Sequence, residues 1–178
     1  YQEVNHADPF SAVTKYNTLV NSVGELPFAL RQAFREATTG TPGPVQLDIS
    51  GIAGEMITED ADLDVVIEEP FSQVPAIRPE PDDFSVRKAI SLITNANRPV
   101  FIAGGGVTTS NARDELIELA EKLSVPVATS LNAKASFPFD HPLAVGVPGS
   151  YSRACANQVV AEADLVFFIG SHTGSQIT

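Results

Sequence analysis

The sequence predicts an α/β protein built on a parallel, doubly wound sheet with helices on both faces. Three observations predict it. Apolar runs of strand length alternate with stripes of helical period over residues 83–178, the pattern of a parallel sheet with right-handed crossovers. The stretch Asp164 to Gly170, DLVFFIG, carries the continuous apolar run LVFFI, as expected of a strand buried on both faces. The stretch Arg98 to Arg113, RPVFIAGGGVTTSNAR, passes from an apolar run through three glycines towards a helix. In parallel α/β proteins such a junction is where ligands are met.

In chain order, residues 1–25 read as irregular. Pro27 then suits a first helical turn, Leu30, Ala33, Phe34 and Ala37 recur at helical spacing, and Gly40 supplies a stop. After the turn Thr41-Pro42-Gly43-Pro44, the alternation of Val45, Leu47 and Ile49 with Gln46 and Asp48 predicts a strand. Residues 26–50 are thus a helix–turn–strand piece. Between Glu55 and Glu69 lie seven acids and no base, and prolines follow at 70, 75, 79 and 81. Prolines this dense stiffen a chain and deny it sheet hydrogen bonds, so 51–82 reads as an interdomain linker. A second unit starts near Asp82, with a helix stripe of Val86, Ala89, Ile90 and Ile93 and a strand at 99–103. A helix face of Leu116, Leu119, Ala120 and Leu123 follows, then a strand at 125–129, a helical pattern at 151–163 and the final apolar run.

Parallel strands place their carboxyl ends on one edge. Here that edge collects Gly104-Gly105-Gly106, Thr129-Ser130-Leu131-Asn132 and Gly170-Ser171-His172. The glycine turn reads G-x-G-x-x-T, one glycine short of the dinucleotide fingerprint. Thr129 and Ser130 stand where an acid would grip a ribose, and Asp114 and Glu115 would repel a phosphate. A ligand-free structural turn and a nucleotide site both remain open on the residues alone. His6, His141 and His172 have no Cys, Asp or Glu at metal-ligand spacing, and no G-x-S-x-G turn exists.

Composition narrows the partners. A net charge of −11 argues against nucleic acid and anionic membranes, which need Lys and Arg. No apolar run approaches the roughly 20 residues that span a bilayer. The start, YQEVNHADPF, lacks the basic and apolar regions of a leader, and with no initiator Met and a polar end the sequence reads as part of a longer protein. The single Cys155 excludes an internal disulfide, fits a cytoplasmic location and reads as a buried small hydrophobe.

Several stretches, in order and over nearly the whole chain, resemble thiamine-diphosphate-dependent enzymes of the acetolactate synthase type. They are Tyr1-Gln2-Glu3, Val13-Thr14-Lys15-Tyr16-Asn17, Leu26-Pro27, and Thr41-Pro42-Gly43-Pro44-Val45 with Leu47-Asp48-Ile49. Arg98-Pro99-Val100 with Gly104-Gly105-Gly106, Val125-Pro126-Val127-Ala128-Thr129, and Asp164-Leu165-Val166 with Gly170 continue the series. The resemblance implies that 1–50 ends a pyrimidine-binding domain, that 51–82 is its linker, and that 83–178 is an incomplete Rossmann-like central domain, its first half or more. It implies a 2-keto acid decarboxylase or carboligase, a homodimer or homotetramer, needing thiamine diphosphate and Mg²⁺ whose ligands lie outside this stretch. The chain alone would then be inactive.

By the same resemblance Gln2 approaches the active site. Gly104, Gly105, Gly106, Thr129, Ser130, Leu131, Gly170 and His172 fall where some members bind FAD or another nucleotide. The chain departs from the family pattern at Gly51, where a lysine is usual, and at Thr41 and His172, where arginines are usual. The two arginine positions would face an anionic flavin phosphate or substrate. Two other readings stand beside this one. A nucleotide-binding structural or regulatory module rests on the glycine edge alone. GGGVTTSNAR also resembles the NAD loop of sirtuin-like deacylases, although this chain has no zinc-binding cysteine pairs.

Overall fold

The computed structural model describes residues 4–51 and 62–174. The chain forms two compact units, Tyr1–Pro79 and Glu80–Thr178. Among the described residues no helix is long and apolar enough to cross a membrane.

The first unit corrects the reading of residues 1–25 as irregular. It holds a short helix α1 (Ala7–Ser11) and a strand β1 (Tyr16–Val20) ahead of the expected α2 (Leu26–Thr38) and β2 (Val45–Ile49). β1 runs parallel to β2, from Tyr16 opposite Val45 to Val20 opposite Ile49. Tyr16, Thr18 and Val20 are good strand formers, but their partner lies 29 residues further on, and no local pattern announces a parallel pairing. Pro27 sits in the first turn of α2. Gly40, at φ +57°, leaves the helix in the left-handed region. Of the predicted stripe, Ala33 is buried while Phe34 is exposed.

The acidic, proline-rich stretch is described from Asp62 onward, and 62–79 belongs to the first unit. Glu68 accepts hydrogen bonds from Arg31 (3.1 Å) and Arg35 Nε (2.7 Å), both on α2. These two guanidinium groups, Arg35 foremost, hold the Glu68 carboxyl down at about 2. The Arg35 guanidinium also lies 5.5 Å from the centre of the Phe71 ring. The Ala76 N–H donates to the Thr38 carbonyl at the end of α2 (3.3 Å), and Ala76 is buried.

The second unit is an open parallel sheet. Its helix α3 (Asp83–Asn95) is capped by Asp82, which accepts from the Ser85 N–H (2.9 Å). There follow β3 (Pro99–Ala103), the short α4 (Gly105–Thr109), α5 (Arg113–Leu123), β4 (Val127–Thr129), β5 (Ala144–Gly146), α6 (Ala154–Glu162) and β6 (Leu165–Ile169). The strand order is β5-β4-β3-β6, parallel throughout. The chain therefore winds outward from β3 through β4 to β5 and then returns across the sheet to β6. Right-handed crossovers put α5 and α6 on opposite faces. One face buries Phe101, Ala103 and Val127 against Leu116 and Ala120 of α5 and Ile93 of α3. Val100, Ile102 and Ala128, which alternate onto the other face, are also fully buried.

Three further expectations change. β6 is half-buried along its length rather than buried on both faces, because it is an edge strand among the described residues. β4 starts at Val127, two residues later than predicted, because Pro126 offers no N–H; its carbonyl instead accepts from Phe101 (3.0 Å). Cys155 is exposed, its thiol directed to the Val145 carbonyl (3.4 Å), while the neighbouring Ala156 takes the buried position of α6.

Candidate functional site

The topology brings the three predicted loops to one edge. The winding reverses beside β3, so the carboxyl ends of β3 and β6 flank the switch point where open α/β sheets meet ligands. Backbone hydrogen bonds lace the loops together. The Gly104 N–H donates to Ile169 O (2.8 Å), the Gly106 N–H to Gly170 O (2.8 Å), and the Ser130 N–H to Ala103 O (2.9 Å).

The glycines have different tasks. A Cβ at Gly104 would fall on the Gly170 carbonyl oxygen. One at Gly106 would lie 2.7 Å from Gly170 Cα, and one at Gly170 would lie 2.7 Å from the Val107 nitrogen. Gly170 also sits at φ +57°, the left-handed region. Gly104, Gly106 and Gly170 thus let one backbone lie directly on another. Gly105 alone of the turn is open, with nothing within 4 Å of an added Cβ. Because the Gly104 and Gly106 amides already serve carbonyls, they form no cradle for a diphosphate.

The turn also differs from its predicted form as the start of one helix. α4 ends at Thr109, and Asn111 turns at φ +52° before α5 begins. Asp114 and Glu115 therefore sit in the first turn of a second helix. Of the remaining predicted residues, Thr129 is buried, Ser130 half-buried, and Leu131 and His172 exposed. Gln2 lies outside the described residues.

Sequence reasoning missed the side chain that braces this edge. Ser136 is fully buried; its hydroxyl donates to Gly104 O (3.1 Å) and pairs with Thr108 Oγ1 (3.0 Å). It thereby ties the 3₁₀ turn Leu131–Ser136 to α4. Its only sequence signal is a small polar residue ahead of the apolar Phe137. Asp164 is the corresponding brace at the opposite edge. Its carboxylate accepts from the Asn97 (2.7 Å) and Arg98 (2.8 Å) backbone N–H groups. Those bonds, Arg98 first, hold its pKa below the ordinary aspartate value.

The histidines have individual partners. His6 Nδ1 lies 2.9 Å from Asp48 Oδ2, and His141 Nε2 lies 3.1 Å from Glu121 Oε1. His141 Nδ1 accepts from the Leu143 N–H (3.2 Å), and the ring stands edge-on to Phe137 at 4.8 Å. Among the described residues, no group of three or more His, Cys, Asp or Glu converges to hold a metal. The arrangement is that of a braced scaffold whose exposed points at this edge include Gly105, Leu131 and His172.

Comparison with known proteins adds relatives along the whole chain. It is 36% identical to a probable acetolactate synthase large subunit of Methanocaldococcus jannaschii, covering 100% of this chain and 30% of that protein. It is 36% identical to the acetolactate synthase large subunit of Corynebacterium glutamicum, covering 100% of this chain and 28% of that protein. The Escherichia coli acetolactate synthase isozyme 1 large subunit is 35% identical over 96% of this chain and 29% of its own length. The chain thus spans about 30% of the length of the curated relatives it matches. The crystal structure of benzoylformate decarboxylase from Polynucleobacter necessarius superposes with a TM-score of 0.73 at 25% identity, over 93% of this chain and 30% of that one. Residues 86–178, which include GGGVTTSNAR, match the family described as "Thiamine pyrophosphate enzyme, central domain". The glycine-braced sheet is a central domain, and the chain belongs to the thiamine pyrophosphate enzyme family.

Proposed function

We propose that the chain is the middle part of a thiamine-diphosphate-dependent 2-keto acid decarboxylase or carboligase of the acetolactate synthase type. In this reading residues 1–50 close the pyrimidine-binding domain, 51–82 link it onward, and 83–178 are the central domain. The observation that carries it is the likeness to acetolactate synthase large subunits from end to end of the chain, at 36% identity. Thiamine diphosphate, when bound, supplies the carbanion chemistry that removes CO₂ from a 2-keto acid. Mg²⁺ would hold its diphosphate through residues outside this stretch. This chain's part is mechanical: backbone-to-backbone contacts fix the switch point, and Ser136 and Asp164 brace the two edges of the sheet. In the parent protein the domain would hold subunits of a dimer or tetramer in register, in the cytoplasm, with a small 2-keto acid as substrate.

Two assays test this. With pyruvate, thiamine diphosphate and Mg²⁺, the parent protein releases CO₂ and the 178-residue chain releases none. Release by the chain alone refutes the domain assignment, and a parent inert towards every 2-keto acid refutes the reaction class. Titration with FAD and ADP, followed by flavin absorbance, addresses the glycine edge. The committed amides of Gly104 and Gly106, with Thr41 and His172 where arginines are usual, support weak or no binding. A tightly held flavin would put the protein among the FAD-bearing members.

A further inference from the structure

His141 is the point where the loop between the 3₁₀ turn Leu131–Ser136 and β5 is fastened. Its backbone N–H donates to the Pro138 carbonyl (3.3 Å), and its own carbonyl accepts from the Ala144 N–H at the start of β5 (2.9 Å). The imidazole is largely enclosed, with 15% of the side chain exposed, and stands edge-on to the buried Phe137. Both ring nitrogens are used. Nδ1 takes the Leu143 N–H (3.2 Å), and Nε2 lies against Glu121 Oε1 of α5 (3.1 Å).

This geometry fixes the ring's tautomer. A backbone N–H can only donate, so Nδ1 presents its lone pair and the ring proton sits on Nε2, directed at Glu121. A second proton can enter only at Nδ1, where donor would then face donor. Turning the ring over gives no relief, because both nitrogens of an imidazolium carry hydrogen. The carboxylate facing the ring is that of Glu121, on α5, while Asp140 precedes it in the same loop and is exposed. Phe137 and Leu143, from the 3₁₀ turn's end and the approach to β5, bring no charge. The Glu121 side chain is 60% exposed and already holds Nε2–H of the neutral ring, so a second proton gains only a water-screened attraction there. The half-buried Leu143 N–H meanwhile loses its acceptor.

Leu143 matters to the sheet. Its side chain packs on the core beneath α5, and its carbonyl accepts from the Val127 N–H at the start of β4 (2.8 Å). β5 is an edge strand of three residues, and its pairing with β4 is irregular between Val127 and Ala128. A short, irregular edge is where a fold opens locally at least cost.

We propose that His141 is a pH-sensitive latch. As the neutral ring it clasps Leu143 and holds β5 to β4; as the imidazolium it releases the Leu143 N–H and loosens β5 with the loop 137–143. Histidine is the side chain whose charge changes between about pH 5 and 8. The latch does not rest on the proposed reaction.

The test is nuclear magnetic resonance on the ¹⁵N-labelled chain at about pH 7.5 and about pH 5. At the higher pH the ring shifts should report the Nε2–H tautomer, and a ¹⁵N–¹⁵N coupling across the hydrogen bond should join Leu143 to His141 Nδ1. At the lower pH that coupling should vanish. The exchange protection of the Leu143 and Ala144 amides should fall at least about fivefold, as the loss of one hydrogen bond implies, while that of Phe101 holds. His141→Asn places a non-titrating carbonyl oxygen where it can accept from the same N–H two residues on, and should keep the protection equal at both pH values. Glu121→Gln should leave the response in place. An Nδ1–H tautomer at the higher pH, or unchanged Leu143 protection beside a protonated ring, overturns the proposal on the parent chain alone. So does an acid response that survives in His141→Asn or disappears in Glu121→Gln, since the ring's Nδ1 would then not be the latch.

Discussion

At the carboxyl ends of β3 and β6 two backbones lie on one another. At the amino ends of β3 and β4 the chain stands apart around a cavity. Both edges are made from the same crossovers and both are braced by one polar side chain, Ser136 at the first and Asp164 at the second. The difference is what fills the gap. At the first edge three glycines remove the side chains that would hold the strands' continuations apart. At the second, side chains from three helix ends line the space. A glycine-rich turn at a switch point is thus no sign of a ligand by itself; the question is whether its glycines face open space or another backbone.

The largest effect should come from breaking that distinction within one turn. Gly106→Ala drives a methyl into Gly170 and should destabilise the second unit by about 3 kcal/mol or more. Gly105→Ala, one residue earlier and unobstructed, should stay within about 1 kcal/mol of the parent chain. Urea denaturation of the two variants reads this directly, and equal losses would mean that the turn is not packed as described.

Ser136→Ala comes next. It removes the hydroxyl from the Gly104 carbonyl, which keeps the Val107 N–H (3.2 Å), and should lower stability by about 1 kcal/mol. Hydrogen exchange should quicken at the Gly104 and Gly106 amides before it does so at Val127. A variant with unchanged exchange there would remove Ser136 as the brace.

The smallest effect belongs to Asp164→Asn at the open edge. The folded-state pKa of Asp164 is lowered. Its contribution is therefore fully present above the unfolded value, about 3.9, and is lost as pH falls through the folded one. The Tm of the variant should be lower than that of the parent chain at pH 7, and the two should converge in acid. A gap that persists below the folded value would show that the carboxylate's charge is not what holds the Asn97–Arg98 loop.

Much of this was legible in the sequence. The strand–glycine–helix order placed Gly104, Thr129 and Gly170 on one edge because period and order alone determine which ends of parallel strands coincide. What stayed hidden depends on distance in the chain. β1 was invisible because its partner β2 is remote. The exposure of Cys155 turned on which of two adjacent small residues faces the sheet. The half-burial of β6 followed from its place at an edge, which apolar content cannot reveal. The role of each glycine was hidden for the same reason: Gly105 and Gly106 are identical letters, and only Gly170, more than 60 residues away, tells them apart.

The contact between Gly106 and Gly170 has a consequence for how this chain can vary. Each occupies the room the other's side chain would need, so a substitution at one is not relieved by shrinking the other, which is already minimal. The pair behaves as a fixed point through which neither loop can drift in single steps. Loops grafted onto this edge from a relative would have to arrive as a matched set, carrying both glycines together.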